Sequence, residues 1–175
     1  MKPLKTEVAF ATPWFDVVGK TMKAEEAPYY SLRLPDYTAI VALTEDQRVL
    51  VVRQYRPALE QYTLELPSGL IDVGETPDAA ARRELLEETG YEVDEVEVLG
   101  ALAVDPGRLN NFIWGCAATG ARQVEGCAAE PGIEVMAWTI DELWRQTQAG
   151  EFGLSLHVSI LMRAVLAGRL RLASS

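Results

Sequence analysis

Histidine is nearly absent from this chain of 175 residues; His157 is the single one. Cysteine is almost as scarce, with only Cys116 and Cys127. The two cysteines fit no metal-ligand spacing. They read as packing residues of a protein in a reducing cytoplasm. No apolar run approaches the ~18 residues of a membrane span. The opening MKPLKTEVAF lacks the apolar stretch of a secretory signal. Positive charge is also in deficit: 16 Lys and Arg stand against 26 Asp and Glu, for a net charge of −10. An acidic surface repels a nucleic-acid polymer, whose phosphates need basic neutralisation. A small phosphorylated ligand is still compatible, provided local arginines or a bound cation offset the field.

What is present suits one domain. Apolar residues make up 49% of the chain, enough for a substantial core. No internal repeat or low-complexity segment interrupts it. Residues 6–34 read as extended segments, broken near KAEEAP. TAIVALTEDQRVLVVRQ reads as two buried strands, Thr38–Leu43 and Val49–Gln54, with TEDQ as the hairpin turn. TLELP is a short strand stopped by Pro67. YEVDEVEVLGALAV, NNFIWGCAA and GIEVMAWTI read as further strands, and Asp141–Ala149 and Leu154–Ala167 as helices. Antiparallel strands with few helices predict an α+β fold, or a mixed sheet between helices.

The most informative stretch is GLIDVGETPDAAARRELLEETGY, residues 69–91. Thr76 suits an N-cap and Pro77 the first helical position, while Gly90 can end a helix in a left-handed conformation. These signals agree on a helix over about residues 77–88. On it Glu84, Glu87 and Glu88 stand at i, i+3 and i+4, so they project into one sector. Ala80 and Ala81 lie one turn earlier in that sector and leave space; Ala79, Leu85 and Leu86 point away and can bury. A solvated charged face explains any one of these glutamates, and Arg83 with Glu87 gives ordinary i,i+4 support. Three carboxylates together repel unless something cationic sits among them, and hard oxygen ligands suit Mg²⁺ or Mn²⁺. Gly69 and Gly74 in the preceding loop let the backbone bend closely around a ligand.

This stretch resembles the Nudix box without a gap. That pattern is G, five residues, E, seven residues, then R-E-U-x-E-E-x-G-U, where U is bulky and apolar; here it runs through Gly69, Glu75, Arg83, Glu84, Leu85, Glu87, Glu88, Gly90 and Tyr91. The resemblance implies a Nudix-type α/β/α sandwich around a mixed sheet. It also implies Mg²⁺-dependent hydrolysis of a nucleoside diphosphate linked to another moiety. Carried over residue by residue, Glu84, Glu87, Glu88 and the Ser68 carbonyl are the implied metal ligands, with Mn²⁺ a substitute for Mg²⁺. Glu75 and Arg83 are implied to tie the loop to the helix. A late-loop glutamate is the implied general base; Glu130 lies on a loop, whereas Glu134 lies in an expected strand.

The segment before the box, VVRQYRPALEQYTLELPSGLID, resembles the ADP-ribose pyrophosphatases within that family. Arg53, Gln54, Tyr55, Arg56, Glu65 and Pro67 match its usual run. On this resemblance Arg53, Arg56 and Glu65 are substrate-site residues, although surface salt bridging also accounts for the arginines taken alone. Pro106, fifteen residues beyond Tyr91, matches a position that marks the subgroup. DPGRLNNFIWG then departs from it, because no glutamate follows. Arg108 is either a phosphate-binding substitute or a loop residue. Alternative substrates are GDP-mannose or an NADH- or FAD-type dinucleotide; the alternative class is a non-catalytic nucleotide-binding module.

Two features are set aside. GKT at residues 19–21 hints at a phosphate loop, but Trp14 stands where that motif needs glycine. His157, within LSLHVSILMRAV, reads as a packing or surface residue. Trp14 and Phe15 can stack on a base or serve a core or interface. In the resembling family N-terminal strands exchange between subunits, so residues 1–35 are expected to be a dimerisation arm of a homodimer and residues 36–175 the Nudix domain.

Overall fold

The computed structural model describes residues 2–173. Three strands open the chain, β1 (Lys5–Ala11), β2 (Asp16–Thr21) and β3 (Tyr29–Arg33), in a separate antiparallel sheet of order β1-β2-β3. The GKT triplet is therefore part of β2. Every residue of β1 is exposed, and the sheet contributes only Val18, Gly19 and Ser31 to the buried set.

The rest of the chain forms β4 (Tyr37–Thr44), β5 (Val49–Arg56), β6 (Gln61–Glu65), β7 (Ser68–Leu70), α1 (Pro77–Thr89), β8 (Tyr91–Glu92), β9 (Glu97–Ala103), β10 (Phe112–Gln123), β11 (Glu134–Trp138), α2 (Ile140–Ala149) and α3 (Ser155–Leu166). The eight strands make one sheet along β11-β5-β4-β10-β8, with β6 on β5, β7 on β4 and β9 on β10. β4 and β10 run parallel and the other pairs antiparallel, so the sheet is mixed.

The apolar run TAIVAL is continuous because both of its faces are covered. Ala39, Val41 and Leu43 pack with Leu143 of α2 and Ile160, Leu161 and Ala164 of α3. Ile40 and Ala42 pack with Ala81 and Leu85 of α1 on the other side. Helices on both faces of a mixed sheet are the α/β/α sandwich that the sequence implied.

The hairpin turn falls where TEDQ predicted it. β4 and β5, however, pair only at Leu43 with Val49, beside that turn. Further along, β7 lies against Tyr37–Ala39 of β4 while β6 lies against β5. The sheet is thus split between Tyr37 and Arg56, and the candidate site is built at the mouth of the split.

One expectation is corrected. Ala79 is exposed, whereas Ala80 and Ala81 are fully buried with Leu85, and Leu86 is only half-buried. The two alanines do not leave ligand space; their small side chains let α1 press onto the sheet. The Thr76 hydroxyl makes no cap bond, and the helix starts on the extended Thr76 backbone followed by Pro77.

Candidate functional site

The loop before α1 is held to the helix by one side chain. Arg83 meets both carboxylate oxygens of Glu75, at 3.1 and 2.9 Å, and donates to the Leu70 carbonyl at 2.9 Å. Its other nitrogen reaches Glu84 at 2.7 Å and Glu87 at 3.1 Å. This guanidinium holds Glu75 below the ordinary carboxylate range, mainly through their hydrogen bonds. Glycine is required at 69 for close approach: a Cβ there would stand 2.0 Å from the Glu84 carboxyl carbon. Gly90 closes the helix at φ 73° with its N–H on the Leu86 carbonyl.

The three box glutamates differ in environment. Glu87 is exposed, and Glu84 is partly covered where it crosses β7. Glu88 is 5% exposed and accepts from the Ser68 backbone N–H at 2.8 Å and from Gln54 at 3.3 Å. Burial is the main cause that pushes its carboxyl up to about 7, and the neighbouring Glu84 adds to it. Glu84 is also raised, chiefly by burial, with Arg83 acting against the rise. Burial thus disfavours the charged form of both carboxylates beside Ser68, and the ion pair with Arg83 offsets this in part at Glu84.

Next to Ser68 opens a cavity of about 620 Å³. It lies at the mouth of the split sheet, with Tyr37, Arg56, Glu65 and Ser68–Leu70 on its wall and Trp14 contributed by the N-terminal segment. Arg56 grips Glu65 through two bonds of 2.7 Å, and the Thr63 hydroxyl donates to the same carboxylate at 2.6 Å. Burial pushes Glu65 up, but these bonds outweigh it and the net shift is downward. Burial, then the charge of Glu65, raises the Tyr37 phenol to about 12.

The other candidate residues lie apart from this cavity. Arg53 pairs with Glu134 at 3.1 Å and sits 4.2 Å over the Tyr62 ring. Glu134 opens β11, as the sequence suggested. Glu130 is exposed on the loop before β11, and its backbone N–H reaches the Glu87 carbonyl at 3.0 Å, which brings that loop to the end of α1. Pro106 and Arg108 lie exposed in the loop joining β9 to β10. Arg108 stacks 4.7 Å from the Tyr29 ring, while the Leu32 N–H donates to its carbonyl at 2.8 Å. This loop thus docks the N-terminal sheet. Cys116 is buried and Cys127 half-buried, both free.

A profile of the NUDIX domain matches residues 34–149. The chain belongs to the NUDIX family. Among NUDIX relatives it is 35% identical over 127 residues to the methanol dehydrogenase activator of Bacillus methanolicus, covering 71% of this chain and 66% of that one. It is also 35% identical over 95 residues to the ADP-ribose pyrophosphatase of Bacillus subtilis (strain 168), covering 54% of this chain and 49% of the relative. These alignments span about half to just under two thirds of the relatives' lengths. The crystal structure of an ADP compounds hydrolase superposes with a TM-score of 0.77 at 24% identity, covering 97% of this chain and 98% of the other, so the two share their fold.

His157, Asn111 and Tyr37 line the cavity without having stood out in sequence as site residues, and Trp14, read in sequence as able to stack on a base or serve a core or interface, lines it too. His157 sits in an apolar helical pattern indistinguishable from core, and Tyr37 simply starts a strand. Only the departure at Asn110–Asn111 marked that loop as unusual.

Proposed function

We propose that the protein is a divalent-metal-dependent pyrophosphohydrolase that cleaves ADP-ribose, or a related nucleoside diphosphate sugar, to a nucleoside monophosphate and a sugar phosphate. The observation that carries this reading is Glu88, buried beside Ser68 without an ion pair and next to Glu84, at the edge of a cavity with room for part of such a substrate. Likeness to an ADP-ribose pyrophosphatase supports the substrate class.

The donor set fits a hard cation. Glu84, Glu87, Glu88 and the Ser68 carbonyl would hold Mg²⁺ or Mn²⁺, which neutralises a diphosphate and activates water. Among the described residues no three acidic, histidine or cysteine side chains already surround one point, because Arg83 draws oxygens of Glu84 and Glu87 toward itself. Binding then involves release of those oxygens from Arg83. Arg83 would position the carboxylates, Arg56 would contact a phosphate or sugar oxygen, and Glu65 would orient Arg56. Glu130 is the candidate general base, brought near by its loop. Arg53, Pro106 and Arg108 have a more distant part, shaping the strands and the loop around the substrate.

The test is a panel of ADP-ribose, ADP-glucose, GDP-mannose and NADH with Mg²⁺ or Mn²⁺, read as released nucleoside monophosphate. ADP-ribose is expected to give AMP and ribose 5-phosphate at the highest kcat/KM. A better rate on another compound overturns the substrate assignment alone. No cleavage of any compound favours the second reading, a nucleotide-binding module acting on a partner protein, which rests on the likeness to the methanol dehydrogenase activator.

The same proposal includes a cytoplasmic homodimer joined through residues 1–35. β1 is an outer edge strand with Val8 49% and Phe10 61% exposed, an edge available for pairing. Light scattering is expected to give twice the chain mass at micromolar concentration; a monomer in an active sample refutes this part. Among the described residues no helix is long and apolar enough to cross a membrane.

A further inference from the structure

His157 has a second nitrogen that the fold does not use. The residue is 4% exposed, and its Nδ1 accepts from the Leu66 backbone N–H at 3.0 Å. Burial lowers its pKa to about 4, so the ring is neutral near pH 7. With Nδ1 accepting, the proton of the neutral ring resides on Nε2. Nε2 bonds to no protein atom, and the only polar side-chain atom that is both sealed off and unpartnered among the described residues is Oδ1 of Asn111. The Nε2–H donor therefore retains open surface, and the space it borders is the cavity that His157 lines.

Asn111 lines the same cavity. Its Nδ2 donates to the Pro35 carbonyl at 3.0 Å, which sets the amide orientation and leaves Oδ1 as an acceptor without a partner. The spare Nε2–H donor stands among Leu34, Pro35, Leu59, Leu154, Leu156 and the exposed indole of Trp14, with Tyr37, Ser68 and Ser155 on the same wall, while Asn111 Oδ1 is enclosed and out of a ligand's reach. Arg56 and Glu65, the charged groups on the wall, bind each other through Arg56 Nε and Nη2, which leaves Arg56 Nη1 for its substrate oxygen. Most of that wall is apolar, and a sugar's several hydroxyls would lose water partners against it. A purine base has flat apolar faces and ring-nitrogen acceptors, and suits it better.

Resting on the reading of the site as a nucleoside diphosphate hydrolase, we propose that His157 is a base-recognition residue, whose Nε2–H donates to a ring nitrogen of a purine seated in this cavity. Two variants separate recognition from folding. The shorter amide of His157→Asn keeps an acceptor near Nδ1 for the Leu66 N–H and removes the Nε2 donor. The longer amide of His157→Gln places a donor near Nε2 and gives up the Nδ1 acceptor. Binding of AMP and, separately, of ribose 5-phosphate is measured by calorimetry, alongside Tm and the KM for ADP-ribose. His157→Asn is expected to weaken AMP about tenfold, the scale of one lost hydrogen bond, with ribose 5-phosphate and Tm near wild type. His157→Gln is expected to lower Tm yet retain most AMP affinity. The proposal is overturned if His157→Asn binds AMP as tightly as wild type, if ribose 5-phosphate is the ligand weakened, or if wild type binds no AMP. Wild-type AMP binding without any turnover instead counts against the hydrolase reading, so the two failures are distinguishable.

Discussion

Glu65 and Glu88 are both buried, at 1% and 5% exposure, on opposite sides of Ser68 in sequence, yet they titrate in opposite directions. Glu65 meets a guanidinium through two bonds and a hydroxyl through a third. Glu88 meets one backbone N–H and one amide and no guanidinium, and the charge of Glu84 opposes it more than that of Arg56 favours it. Burial penalises each to begin with. The difference is that Glu65 has its cation within the protein and Glu88 does not. A completed pair is a structural device; a buried carboxylate without its cation marks where a ligand supplies charge.

The largest expected effect of breaking this contrast is on turnover. Glu88→Gln should lower kcat with Mg²⁺ by roughly a hundredfold or more, while Tm stays level or rises, because the neutral amide still accepts from Ser68. Near-normal turnover at saturating Mg²⁺ would remove Glu88 from the proposed ligand set. Glu65→Gln should act mainly on the fold, leaving Arg56 half-covered and unpaired. A cost on the order of 2 kcal/mol is expected in urea unfolding, below the figure for a fully buried pair because Arg56 is 41% exposed. No loss of stability would mean that the pair merely breaks even against solvent.

A pH series sharpens the same comparison. Burial pushes the folded Glu88 carboxyl up to about 7, above its ordinary 4.5, so the unfolded chain releases that proton first. In metal-free protein this contribution is fully present below about pH 4.5 and is lost as pH rises through 7, on the order of 3 kcal/mol in all. The difference in unfolding free energy between wild type and Glu88→Gln isolates it, and added Mg²⁺ should flatten it. A difference that is constant from pH 4.5 to 8 would contradict the assignment. The smallest effect is expected at the exposed Glu87. Its pair with Arg83 is an i,i+4 contact with the Glu87 side chain 55% exposed, so Glu87→Gln should shift stability by no more than ~0.5 kcal/mol. Its kcat should fall at least tenfold less than that of Glu88→Gln; an equal fall would place the three box glutamates on the same footing.

Much of the site's framework was legible because it is local. Thr76, Pro77 and Gly90 bound one helix, and helical geometry alone groups Glu84, Glu87 and Glu88. Arg83 and Glu75 then meet across a short loop. Residues brought together from far apart were not legible in the same way. Arg53 and Arg56, three positions apart on one strand, end on different partners, Glu134 and Glu65, because strand alternation and pairing direct them apart. Arg108 faces Tyr29 because the loop that carries it docks the N-terminal sheet.

By itself the sequence determined the family, the helix with its carboxylate sector, the alternation that buries both faces of β4, and the acidic balance that disfavours nucleic acid. Short-range geometry and hydrophobic periodicity are enough for these. Only the tertiary structure decided how deeply each glutamate is buried, because that depends on what packs above the helix. Only it split the sheet between Tyr37 and Arg56, since β6 and β7 must first choose their pairing partners. Only it turned His157 from an unremarkable helical position into a neutral ring with a free donor: its protonation depends on burial, and its tautomer on one N–H donated by Leu66, 91 residues away in sequence.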